Sequence, residues 1–155
     1  MTFDKGSVKN QNVNFTQINR TLEKAYGSIR SAEIIIKLTP EDSFVLAYES
    51  MLKTSLALML SKGYRPKTQL GHHKTLVEFA KVILGNRFSS LTATYDRMRK
   101  KRNKIIYDIG SVSQTEGKEA IAIADKYFKV VEGKILSDNP QQKLWKPKEN
   151  NKKSK

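Results

Sequence analysis

A chain of 155 residues, 38% of them hydrophobic, is long enough to bury one core and is not composed like a disordered segment. The absence of cysteine excludes a disulfide framework and any thiolate metal site. The 29 Lys and Arg outnumber the 15 Asp and Glu to give +14, a field that draws in polyanions such as RNA, DNA or an acidic protein.

Residues 1–13 are polar and Asn-rich, without clear period, and are expected to form a flexible arm. From Phe15 an apolar rhythm sets in through Ile18, Leu22, Ala25, Ile29, Ala32 and Ile36, the three-and-four spacing of an amphipathic helix ending near Leu38. Thr39, Pro40, Glu41 and Asp42 form a strong helix start: a capping hydroxyl, a proline suited to the first helical position, and acids at the positive end of the dipole. The second helix then runs to about Ser61, apolar nearly all round and so central. Its most continuous apolar stretch, 55–60, falls well short of the roughly 20 residues that cross a bilayer. The first five residues lack the charged and apolar regions of a signal peptide, so a cytoplasmic protein with no membrane partner is expected.

Gly63 ends the second helix, and Pro66 pushes Arg65 away from helical angles. A third helix follows from Gly71 or His72 to Leu84, with Leu76, Val77, Phe79 and Ala80 inward. A fourth runs from about Phe88 to Tyr107 and is stopped by Asp108, Ile109 and Gly110. Ser113 and Glu116 read as a capping box for a fifth helix, closed by Asp138, Asn139 and Pro140. No alternating pattern is long enough to predict a sheet. The expected fold is all-α, an antiparallel bundle of about five helices over 14–138. A basic tail, 139–155, follows, and its six Lys and one Glu carry +5 of the total.

Chemistry concentrates in the fourth helix. Its apolar stripe is Leu91, Tyr95, Met98 and Ile105, and the missing four-step on that stripe is Arg102. A cation on a core line is costly unless it is paired, reaches a cleft or a subunit seam, or snorkels outward. Arg97, Arg99, Lys100, Lys101 and Lys104 surround it, making six cations in eight residues with Asp96 and Asp108 the only nearby acids in sequence. Such a run reads as a solvated face or as a phosphate-binding surface. Asn103 and Tyr107, four apart, share a face and offer amide and hydroxyl groups. Elsewhere, His72 and His73 point about 100° apart on a helix and make no chelating pair. One of them can approach Arg102 from the third helix. Glu49 is a candidate partner for an arginine of the fourth helix. Trp145, among tail lysines, suits either base stacking or docking on the bundle.

The stretch from Ala47 through the Gly63-Tyr64-Arg65-Pro66 turn, the segment Gly71 to Phe79, and Arg97 to Asp108 with its Arg102-Asn103 pair resemble, in that order, the helices and turns of HEPN domains. The resemblance covers roughly residues 15–136. It implies a helical bundle that acts on RNA. Many such proteins are metal-independent ribonucleases, toxins or defence proteins, that pair two copies of an Arg–x4–6–His motif across a dimer seam. No cofactor and no metal are implied. Arg102 matches the motif's arginine and Asn103 its polar position, while Tyr107 stands where the histidine would be. An ordinary tyrosine, with a pKa near 10, is a poor general base. The resemblance therefore leaves two functions open: a dimeric endoribonuclease with Arg102, Asn103 and Tyr107 as catalytic residues and Arg97, Arg99, Lys100, Lys101 and Lys104 as RNA-binding residues, or a non-catalytic module. The latter would bind RNA, an antitoxin or a nucleotidyltransferase-type partner. A DNA-binding regulator is permitted by charge alone, without a convincing recognition-helix arrangement.

Overall fold

The computed structural model describes residues 4–67, 72–107 and 109–147; Gly71, Asp108 and the tail beyond Pro147 lie outside the described residues. Within them the chain runs β1 (Val8–Asn10), α1 (Phe15–Ile35), α2 (Pro40–Ser61), β2 (Tyr64–Pro66), α3 (His72–Leu84), α4 (Ser89–Ile106) and α5 (Gln114–Asp138). All five expected helices are present. Their starts follow the local chemistry. The Asn14 side chain accepts from Gln17 N–H, Thr39 from Asp42 N–H, and Ser113 and Glu116 exchange both bonds of a capping box.

Helix α2 is the axis, packed against each of the other four. Ala47, Tyr48, Met51, Ala57, Leu58 and Met59 are fully enclosed there. By length and apolarity α2 would pass for a membrane span, unlike the six-residue stretch that stood out in sequence. However, 72% of its apolar window is buried inside the bundle. The α1–α2 connection is anchored where Ser43 Oγ donates to Ala32 O at 2.8 Å. The C-terminal ends of α1 and α4 and the start of α5 meet at one end of the bundle, where Lys101 Nζ reaches Glu116 Oε2 at 3.1 Å.

Residues on either side of the helices, 8–10 before α1 and 143–145 after α5, are tied to the bundle. Val8, Lys9 and Asn10 pair antiparallel with Pro66, Arg65 and Tyr64, and Val8 is buried in the core. Gly63 adopts φ +86°, the left-handed conformation that lets α2 turn directly into β2. After α5 the chain docks back on α1. Leu144 is buried, the Trp145 ring centroid lies 5.5 Å from that of Tyr26, and Asn19 bonds the Lys143 carbonyl and the Trp145 N–H. Trp145 thus packs on the bundle.

Candidate nucleic-acid interface on helix α4

Helix α4 changes character along its length. Leu91, Thr92, Tyr95 and Met98 are buried, whereas from Arg99 onward the same stripe carries half-buried Arg102 and Ile105. The cations there do not neutralise one another. Arg99 Nε binds Asp96 Oδ1 at 2.9 Å, and Lys100 reaches the same carboxylate at 3.6 Å. Burial alone would raise the Asp96 carboxyl, but the hydrogen bond and charge of Arg99, with Lys100, hold it below the ordinary range. Lys101 uses Glu116 of α5, an acid that sequence proximity to Arg102 did not reveal. The backbone N–H of Ser113 first, and then Lys101, depress the Glu116 carboxyl. Arg97 donates to Thr94 Oγ1 at 2.8 Å. Among the described residues Arg97, Arg102 and Lys104 have no carboxylate partner.

Arg102 is the unusual member. Its Nε is enclosed, with no hydrogen-bond partner among the described residues, and its Nη1 makes only a long 3.5 Å contact with Asn103 Oδ1. A shut-in donor without an acceptor costs free energy. Beside it, α2 contributes fully buried Tyr48 and α3 contributes His73, whose Nδ1 lies 3.2 Å from Tyr48 Oη. Arg102 and Arg99 both lie close enough to act on these two groups. Burial pushes the Tyr48 phenol well above its ordinary pKa, against the opposing pull of Arg102 and Arg99. Burial, then His72, then Arg102 and Arg99 push the His73 imidazole down to about 4, so it is neutral at pH 7.

The structure therefore brings Arg102 and Asn103 together and adds Tyr48 and His73, while leaving Tyr107 apart. Tyr107 is the C-cap of α4, 76% exposed, and its hydroxyl has no partner among the described residues. The surrounding Ile106 and Ile109 are exposed too. Glu49 does not pair with α4. It lines a cleft of about 500 Å³ on the other side of α3, with Lys53, Arg65, Lys67, His72 and Leu76, because its position on α2 turns it toward α1 and β2. Among the described residues no three His, Asp or Glu side chains converge as metal ligands.

Comparison of the chain with family models, with curated proteins and with solved structures finds no match.

Proposed function

We propose that the protein is a HEPN-type RNA-directed protein that holds a phosphodiester at the C-terminal half of α4. The observation that carries this reading is Arg102: a guanidinium set on the core stripe, its Nε enclosed and unpartnered, among cations that the bundle's acids only partly neutralise. An anion would pair the guanidinium charge, for which the described residues supply no carboxylate. RNA supplies anions at regular spacing, and Arg97, Arg99, Lys100, Lys101 and Lys104 would follow its backbone by displacing counterions. Asn103 sits beside the guanidinium and would orient the bound phosphate. The activity that the HEPN resemblance adds is metal-independent cleavage in a toxin–antitoxin or defence setting. It would proceed by attack of a 2′-hydroxyl on the adjacent phosphorus with release of a 5′-hydroxyl.

A dimer fits the same end of the bundle. Ile106, Tyr107 and Ile109 present exposed apolar surface next to the basic run, and a second copy of this chain would cover it. Equilibrium sedimentation should find a dimer that Ile106→Lys with Ile109→Lys dissociates. A monomer in the unmodified chain would remove the composite site.

One observation favours the non-cleaving reading, in which the module binds RNA, an antitoxin or a nucleotidyltransferase-type partner. Tyr107 is a solvent-facing phenol at the C-cap of α4, and its hydroxyl has no hydrogen-bond partner among the described residues. Incubation of single-stranded RNA with the protein in EDTA separates the two. Cleavage leaving 2′,3′-cyclic phosphate ends, lost in Arg102→Ala, establishes the nuclease. Intact RNA bound with an affinity that falls steeply with salt establishes the binder. RNA that neither binds nor is cut refutes both.

A further inference from the structure

The neighbourhood of Arg102 holds a second group suited to an anion, and it lies outside the Arg–Asn–x–x–x–Tyr motif. Tyr48 is fully buried, and its hydroxyl has one hydrogen-bond partner among the described residues, Nδ1 of His73. An enclosed phenol keeps its hydrogen bonded, so Tyr48 donates and Nδ1 accepts. In a neutral imidazole the ring proton then resides on Nε2. That nitrogen has no hydrogen-bond partner among the described residues, on a ring that is only half-buried. The tautomer is thus fixed by α2, leaving Nε2–H as a donor on a half-buried ring.

The charges around the pair are Glu49 on α2, His72 on α3, and Asp96, Arg99 and Arg102 on α4. Arg99 is committed to Asp96, so Arg102 is the cation in this group without a carboxylate. Both arginines disfavour a third positive charge on His73. A bound phosphate reverses that balance, because its negative charge lies against the ring and offsets the guanidinium. On protonation Nδ1–H donates to the phenol oxygen and the Tyr48 hydrogen gives up its acceptor, a cost that the bound phosphate must offset.

We propose that His73 is the second phosphate-binding group of the Arg102 site: it donates Nε2–H to a non-bridging phosphate oxygen, and phosphate binding draws a proton onto the ring, so that the site grips RNA more tightly as pH falls. This rests on the RNA reading above. It makes Tyr48 a positioning residue. The coupling is reciprocal: whatever raises the His73 pKa on binding must raise affinity at lower pH by the same factor.

The test uses the His72→Gln chain, which leaves one histidine, and a 2′-O-methyl oligonucleotide that cannot be cleaved. The Cε1–H resonance of His73 is followed through a pH titration, and affinity is measured by fluorescence anisotropy at pH 5.5 and 7.5. With His72 replaced, burial and the two arginines should still hold the free-protein midpoint below the ordinary histidine value; bound oligonucleotide should raise it by about two pH units, and binding should be several-fold tighter at the lower pH. In His73→Gln, which cannot titrate, the extra affinity at pH 5.5 relative to pH 7.5 should vanish, whatever the loss at pH 7.5. A midpoint that does not move while the chain still binds through Arg102 overturns this inference and leaves the RNA reading standing. Absence of Arg102-dependent binding overturns both.

Discussion

Two polar clusters built on tyrosines lie inside this bundle, and only one of them is closed. In the first, Tyr127 Oη lies 2.6 Å from Ser55 Oγ, Ser55 donates to Tyr95 Oη at 2.9 Å, and Tyr95 donates to the Met51 carbonyl at 3.4 Å. With Tyr127 as donor, each hydroxyl hydrogen in this relay between α2, α4 and α5 has an acceptor, and both phenols are fully enclosed. In the second, two turns further along α4, Tyr48 meets His73, but Arg102 Nε beside them has no partner. The two clusters touch, since the Tyr48 and Tyr95 rings stand 6.0 Å apart. Yet the inner one is a finished network that fixes how three helices register, and the outer one is a set of donors short of an acceptor. A fold gains nothing from the second arrangement; a ligand with negative charge completes it.

Breaking the closed cluster should produce the largest losses of stability. Tyr95→Ala removes a fully buried ring at the centre of the relay and should cost about 3–5 kcal/mol in urea denaturation. Ser55→Ala strands the Tyr127 donor and should cost about 1–3 kcal/mol. The open cluster should instead reveal itself through pH. The folded-state pKa of His73 lies below the ordinary histidine value, so between about pH 6.5 and 4 the unfolded chain binds the extra proton. Stability from this group is therefore complete above that window and falls as pH drops through it, by about 1–2 kcal/mol after allowance for the ring's partial exposure. Stability curves at pH 7 and pH 4.5 should differ less in His73→Gln than in the unmodified chain. The depressed carboxyls of Asp96 and Asp138 add losses only at lower pH, as they protonate. The smallest effect is expected for Tyr48→Phe. It should cost no more than about 1 kcal/mol, because water can reach the half-buried ring it leaves behind, and it should raise the RNA concentration needed for half-saturation.

The same contrast explains what could be read from sequence. The five helices were legible because each carries its own signal: spacing of three and four in α1, Thr39 and Pro40 before α2, the Ser113–Glu116 box before α5. Arg102 was legible because a cation interrupts an otherwise apolar stripe on a single helix. The β1–β2 pair was not, since three-residue strands show no alternation and are joined by backbone bonds between segments far apart in sequence. The tail's return to Asn19 and Tyr26 is long-range in the same way. The partnership of Tyr48 with His73 escaped because spacing tells which residues share a helix face and not which faces meet. Read alone, Tyr48 is one more core aromatic. Glu49, its neighbour, was expected near α4 and faces the opposite cleft, since adjacent helical positions diverge by about 100°.

Replacement of Arg102 by methionine tests the central claim most directly. Methionine continues the line of Met98 and Ile105 with a chain of similar reach and no buried donor. Thermal denaturation and RNA anisotropy on the same Arg102→Met sample should show a chain as stable as the original, or more so by up to about 1 kcal/mol, that has lost RNA binding. A destabilised chain that binds RNA undiminished would contradict the account, because the guanidinium would then be serving the fold and not a ligand.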